Sequence, residues 1–246
     1  MTNQPLLETI DRSIYRAAKI VSGAIHRTSK EIVYKELGWH SLSERRQIQR
    51  LKVFHKMING KTPVYLQNEI PAPDPNHEHL RSKDDIPKIR GMVLLENTFI
   101  PKTITEWNTL NTETRSSDSS ETFCKKITRE TEVPSWYLTG DREANMWHAR
   151  MRMRCSPLND DLHSQIHVLE NSECACGYKK ENSKHFLLDC PLYNVAREKM
   201  LNNLLPLGFK PTKSNLLFGN SKYSELMNKN AFEIIQTFIR ETKRFK

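Results

Sequence analysis

Cys174-Ala175-Cys176-Gly177-Tyr178-Lys179-Lys180-Glu181-Asn182-Ser183-Lys184-His185-Phe186-Leu187-Leu188-Asp189-Cys190 is the stretch on which the reading of this chain turns. Its spacing is C-x-C-x8-H-x4-C. Three thiols and one imidazole suit a tetrahedral zinc ion, and ligation keeps the thiols deprotonated. The expected ligands of one Zn2+ are therefore Cys174, Cys176, His185 and Cys190. Four ligands leave no open position, so the site is expected to be structural rather than catalytic. Gly177 allows a turn that folds the first pair back onto His185 and Cys190. Residues five apart on an α-helix lie about 140° apart, so a helix must begin or end inside the site. Pro191 fits such a junction. The first gap is tighter than the commoner C-x2-C. His163 and His167, four apart, are an alternative source of one ligand, and unrelated thiols beside a histidine are the alternative to the whole cluster. Cys124 and Cys155 stand alone and read as core or surface residues.

The surrounding 246 residues are polar: 37% hydrophobic, 27% charged, mean hydropathy −0.67. Five cysteines, an odd number, favour a reducing compartment over a disulfide framework. No apolar run approaches the ~18 residues of a membrane span. The expected setting is intracellular, nucleus and cytoplasm, with no membrane and no small-molecule substrate. The net charge of +9 is uneven. Residues 1–70 carry 12 Lys/Arg against 6 Asp/Glu, and residues 191–246 carry 10 against 4. Residues 71–145 carry 10 against 13. Basic ends suit a polyanion, because phosphate contacts release condensed counterions. RNA and/or DNA is the expected partner, and a merely solvated surface is the alternative.

Periodicity predicts a mainly α fold. Residues 5–21 place Leu6, Ile10, Ile14, Ala17 and Val21 at helical spacing. Thr28 to Glu31 and Ser41 to Glu44 are capping-box patterns. The second opens a helix to Asn59, stopped by Gly60, with Ile48, Leu51, Phe54 and Ile58 as its buried stripe. Thr62-Pro63 reads as a cap followed by proline at the first helical position. Pro71, Pro73, Pro75 and Pro87 break helices, and Gly91 to Leu95 suggests one short strand. Short helices are predicted over 103–110 and 119–131, longer ones over 142–154, 191–205 and 223–243, with a boundary at Val133 to Gly140. The last helix has Leu226, Phe232, Ile235, Phe238 and Ile239 on its apolar face. Three domains are expected: a basic, bundle-like helical segment over 1–70, an irregular Pro-rich linker region with short helices over 71–139, and a small helical zinc-binding module over 140–246.

Candidate nucleic-acid contacts are Arg45, Arg46, Arg50, Lys52 and Lys56 on one helix, Arg150, Arg152 and Arg154 on another, and Lys179, Lys180 and Lys184 inside the cysteine stretch. Arg152 and Arg154 flank Met153 and point to different sides, so at least one of that group is expected to be merely solvated. Trp39, Trp107, Trp147 and Tyr193 are aromatics able to stack on bases, although such residues more often pack a core.

Cys174 to Tyr178, Lys184 to Tyr193 and Arg197 together resemble the cysteine/histidine motif near the C-terminus of reverse transcriptases from non-LTR (LINE-type) retrotransposons. His148 to Arg152 with Ser156 to Asn159 resembles the segment before that motif; Leu216 to Gly219 and Phe238 to Phe245 resemble the terminal helix. Upstream, Glu36 to Trp39 with Leu42, Arg45 and Arg46 is similar to the segment after the polymerase thumb. So are Asn59 to Leu66, Leu80-Arg81-Ser82, and Phe99-Ile100-Pro101 with Trp107-Asn108. The resemblance covers most of the chain and lies in the order of weak pieces. It implies a region that grips template RNA or target DNA during target-primed reverse transcription, beside a polymerase core. Such a core needs carboxylates for two divalent ions. The Asp-Asp pairs here, Asp84-Asp85 and Asp160-Asp161, follow no aromatic β-run and read as loop or cap residues. No catalytic residue is expected, and the chain alone is not expected to be an enzyme. The expectation is a transposable-element fragment whose further partner is the missing polymerase core. A structural or protein-interaction zinc module is the first rival, and a nuclease the second.

Overall fold

The computed structural model describes residues 4–72, 85–89, 98–128 and 133–245. Its elements are mainly helical, with no strand among the described residues. In chain order they are α1 (Gln4–Ser22), α2 (Lys30–Leu37), α3 (Leu42–Ile58), α4 (Val64–Gln67), α5 (Phe99–Asn108), α6 (Thr112–Arg115), α7 (Ser120–Ile127), α8 (Arg142–Arg152), α9 (Asn194–Leu204), α10 (Lys213–Phe218) and α11 (Glu225–Glu241). Short 3-10 and π turns link the later ones. The suggested strand at Gly91 to Leu95 lies outside the described residues, as do Pro73, Pro75 and the end of the helix expected to reach 131.

The chain forms two compact units that do not follow the expected three-part division. One comprises Met1–Leu7 and His40–Thr131, the other Glu8–Trp39 and Glu132–Lys246. The stretch expected to be a linker instead builds half a core. In the first unit Leu51, Phe54 and Met57 of α3 pack with Ile104 and Trp107 of α5 and Phe123 of α7. Phe54 meets Trp107 edge-on at 5.4 Å, and His55 stacks on Phe123 at 4.4 Å. Each such buried side chain contributes roughly 1.5–3 kcal/mol of transfer free energy. The irregular segment is tied in by Asn108, whose side-chain amide donates to the Ile86 carbonyl at 2.8 Å and accepts from its N–H at 3.1 Å.

Helix α3 begins as its sequence promised. Ser41 accepts from the Glu44 N–H, and the Glu44 carboxylate accepts from the Ser41 N–H. Its buried face, however, is rotated. Ile58 is 41% exposed, while His55 and Met57 are buried. His55 tolerates burial because its Nε2 reaches the Ser117 carbonyl at 2.9 Å. At α2 the capping residue is Ser29 rather than Thr28, and α4 starts after Pro63, which carries no capping bond.

In the second unit α8 is buried on two sides. Met151 faces a large core built from α9, α10 and α11, centred on Phe232, Ile235 and Phe238. Ala149 and Met153 face a smaller one with Ala18, Val33 and Tyr34. Residues 8–39 therefore belong with the C-terminal module. Leu226, expected on the apolar face of α11, is 67% exposed, while Phe232, Ile235, Phe238 and Ile239 are buried. The residues 133–140, expected as a boundary, pack on this core: Trp136 donates through Nε1 to the Phe218 carbonyl at 3.0 Å. Gly140 has φ +86°, and a Cβ there would lie 1.8 Å from the Gln236 amide oxygen. Only glycine fits. Among the described residues no helix is long and apolar enough to cross a membrane.

Candidate metal centre

The four expected ligands converge. Residues 172–181 fold back on themselves: the Glu181 N–H donates to the Ser172 carbonyl at 2.7 Å, and the Cys174 N–H to the Tyr178 carbonyl at 2.9 Å. The tip closes through the Gly177 N–H to the Cys174 carbonyl at 2.8 Å, with Gly177 at φ +86°. This turn puts both Cys174 and Cys176 on the side of the following helical turn. Asn182 caps that turn, its Oδ1 accepting from the His185 N–H at 3.0 Å.

His185 to Asp189 then form a π turn, closed by the Cys190 N–H donating to the His185 carbonyl at 2.7 Å. The bond joins residues five apart, the separation of the two ligands. The turn ends at Asp189 and Cys190 follows in an extended conformation, so a helix end does fall between the two expected ligands, just ahead of Pro191. One ring nitrogen of His185 and the Sγ atoms of the three cysteines all lie within 4.8 Å of one another. Cys174 Sγ is 3.7 Å from Cys190 Sγ, and Cys176 Sγ is 3.3 Å from His185 Nε2. The cluster could hold a metal ion. Among the described residues no other group of three or more His, Cys, Asp or Glu side chains gathers in this way. His163 and His167 stay apart, donating through Nδ1 to the carbonyls of Leu169 and His163. Cys155 is buried elsewhere and Cys124 is half-buried; both are free thiols.

Burial sets the electrostatics. It pushes the Cys174 thiol up to about 12 and raises Cys190 as well. At Cys176 burial works in the same direction but is outweighed by the Tyr178 N–H and the neighbouring thiols, so its value falls below the ordinary one. Burial lowers His185, so its ring is neutral and able to ligate.

Residues that sequence reasoning left without a role brace the site. Arg197 is buried and donates to the carbonyls of Phe186, Leu187 and Cys190 at 3.3, 3.1 and 2.5 Å. Those are carbonyls a helical turn leaves unsatisfied at its end. Glu181 is buried beneath the site and takes both arms of Arg244, at 2.7 and 2.6 Å. Phe186 packs against Phe238 and Phe245. The metal loop is thereby anchored to α11 and the residues after it.

The expected basic contacts divide. Arg45 is exposed, and Arg46, Lys52 and Lys56 are half-exposed along α3. Arg50 is not available: it forms a two-pronged ion pair with Glu106 at 2.5 and 3.1 Å. Arg152 is a second correction. Its guanidinium is buried, pairs with Glu36 at 2.6 Å and lies 4.0 Å from the Tyr137 ring. Arg150 is half-buried, donating to the Gly23 carbonyl at 2.7 Å and covering Trp147. Arg154, just beyond α8 with φ +55°, is exposed, and so are Lys179, Lys180 and Lys184. Arg154 and Lys180 approach the same carboxylate, Asp160, at 3.8 and 3.9 Å. Lys179, Lys180 and Lys184 are carried by the cluster's own loop, and Arg154 meets Lys180 at Asp160.

The aromatic candidates pack rather than project. Trp107 is buried, Trp39 and Tyr193 are partly buried against their cores, and Trp147 stacks on Phe245 at 5.2 Å. The ring that projects beside the cluster is Tyr178, which sequence reasoning did not single out: it is 55% exposed and stacks on His185 at 4.4 Å. Its signal was local, an aromatic after the turn glycine between two ligand pairs. Asp85 pairs with Arg115, and Asp161, buried rather than capping, accepts from the Ser156 N–H and hydroxyl; Asp84 lies outside the described residues. No protein-family model, curated protein or solved structure matches the chain.

Proposed function

We propose that the chain is a zinc-organised, intracellular nucleic-acid-binding module, equivalent to the C-terminal part of a non-LTR retrotransposon reverse transcriptase and without a polymerase site of its own. The observation that carries the reading is a four-residue Cys/His cluster whose loop bears the exposed cations Lys179, Lys180 and Lys184, with Arg154 beside Lys180 at Asp160. The donor set favours zinc. A tetrahedron with metal–sulfur bonds of about 2.3 Å has sulfur–sulfur edges of about 3.8 Å. Cys174 and Cys190 already stand 3.7 Å apart. Three thiolates and an imidazole fill the coordination shell, so the ion shapes the loop and activates no water. The order of sequence motifs along the chain supplies the retrotransposon part of the reading, with template RNA or target DNA as the ligand.

The ion pairs of the rim support release of these cations to phosphate. Lys180 to Asp160 and Lys184 to Asp189 both span 3.9 Å and are exposed on the lysine side. Contacts of that length at a surface contribute little. The test is binding of the zinc-loaded protein to RNA and DNA as salt is raised. Affinity is expected to fall linearly on a log–log plot. Replacing Lys179, Lys180 and Lys184 by Ala is expected to flatten the slope by about 0.7–0.9 per lost phosphate contact. Absence of binding at low salt, or a flat dependence, sinks the proposal and leaves a structural or protein-interaction module.

A further inference from the structure

Tyr178 is placed as no packing residue need be. Its ring lies parallel to the His185 imidazole, with 4.4 Å between centroids and 10° between planes. One face is thereby covered, yet the residue remains 55% exposed. The backbone on both sides of the ring is also fastened to the metal loop. The Tyr178 carbonyl accepts from the Cys174 N–H at 2.9 Å, and its own N–H points to the Cys176 sulfur. The ring is therefore held still by the same groups that hold the ion, and ordering it on binding costs little. Lys179 and Lys180 follow immediately and are exposed, and Arg154 shares the Asp160 carboxylate with Lys180.

We infer that Tyr178 is a stacking platform for an unpaired nucleobase, with Lys179, Lys180 and Arg154 taking the adjoining phosphates, so that the metal loop binds single-stranded nucleic acid. This deepens the nucleic-acid reading proposed above and rests on it. A flat aromatic face offers a base nothing it can use inside a duplex, where both faces of every base are already stacked and only the edges are open in the grooves. An unpaired base has a free face, and every base has one, so the contact tolerates sequence. The cations supply the part of the affinity that depends on salt, and the ring supplies the part that does not.

The experiment uses the full zinc-loaded chain and three fluorescent probes of one mixed sequence, about 12 nucleotides long to span a typical single-strand site. The probes are single-stranded RNA, single-stranded DNA and the DNA duplex. Tyr178→Ala is expected to weaken both single strands about tenfold, with the salt slope unchanged and duplex binding within about twofold of the wild type. Tyr178→Phe keeps the ring and is expected to bind like the wild type. Replacing Lys179 and Lys180 by Ala is expected to lower the single-strand salt slope by about 1.4. Zinc content and thermal melting are measured for each variant. If Tyr178→Ala loses its metal, Tyr178→Leu carries the test, because it covers His185 without offering a π face. Wild-type affinity of the Ala or Leu variant for both single strands overturns the stacking inference and leaves nucleic-acid binding standing. An equal loss on the duplex overturns it too. Failure of the wild type to bind any probe removes the parent reading itself.

Discussion

Phe54 in one unit and Cys190 in the other are both fully buried, but their surroundings differ. Around Phe54 stand Trp107, Phe123, Leu51, Met57 and Ile104, a core of large apolar side chains drawn from three helices. Around Cys190 stand two more thiols and an imidazole, with Arg197 and Glu181 behind them. The first region is stabilised by area removed from water. The second gathers groups that repel one another once ionised, and burial alone penalises the thiolate form. A metal ion changes that balance, whereas nothing comparable acts on the aromatic core. The two regions therefore answer to different variables: side-chain volume in one, metal and pH in the other.

The largest expected effect is on the metal side. Structural zinc is worth on the order of 10–16 kcal/mol to small peptide modules. Cys190→Ser, or a strong chelator, is expected to remove the ion and with it hydrogen-exchange protection over residues 172–193, while residues 48–58 and 99–127 stay protected. Protection unchanged at the metal loop breaks the comparison. The pH dependence has a definite sign. Cys174, with its thiol pushed up to about 12, and Cys190 must release protons to the ion, so metal affinity falls by roughly tenfold or more per unit as pH is lowered. Without metal the sign reverses. A raised folded-state value stabilises the fold below the ordinary thiol value of 9.0, and that stability is lost as pH rises toward about 12. Titration of metal affinity and of metal-free melting on the same protein checks both directions.

Next in size is Phe54→Ala, which leaves a cavity among rings packed at 5.4 and 5.5 Å. It is expected to destabilise the first unit by about 3–5 kcal/mol in denaturant melts, with zinc content unaltered. A variant that also sheds its zinc would mean that the two regions are not separately held.

How much of this was written in the sequence depends on distance along the chain. The clustering of Cys174, Cys176, His185 and Cys190 was legible because they span one short stretch, and ligand chemistry restricts which residues can serve. The helix end between His185 and Cys190 was legible from the same spacing, whereas the π form of the turn was not. The capping box at Ser41 was legible for the same local reason. The face of α3 was not: periodicity supplies a stripe, but Trp107 and Phe123, far along the chain, select the side bearing Met57 and His55 over the side bearing Ile58. Arg50 and Arg152 read as free cations because their partners, Glu106 and Glu36, lie 56 and 116 residues away. Nor did any local signal tell that residues 8–39 pack with the C-terminal module, since Val33 and Tyr34 meet Ala149 and Met153 only in the folded chain.

The smallest expected effect is the sharpest comparison, because it uses the same bond in both regions. Ser41 accepts the Glu44 N–H at 3.2 Å at the start of α3, and Asn182 accepts the His185 N–H at 3.0 Å at the start of the π turn. Losing a cap of either kind costs about 1 kcal/mol. At Ser41→Ala that cost has one outlet, the stability of the first unit, and melting of that unit is expected to fall by about 4–8 °C with metal affinity unchanged. At Asn182→Ala the freed N–H belongs to a ligand. Part of the cost is then met when His185 must be held for the ion, and metal affinity is expected to drop by up to about fivefold. Competition with a chelator of known affinity reads the second effect directly. Equal metal affinities in the two variants would mean that the π turn is as well formed without its cap as with it, and that the ion, not Asn182, sets the position of the imidazole.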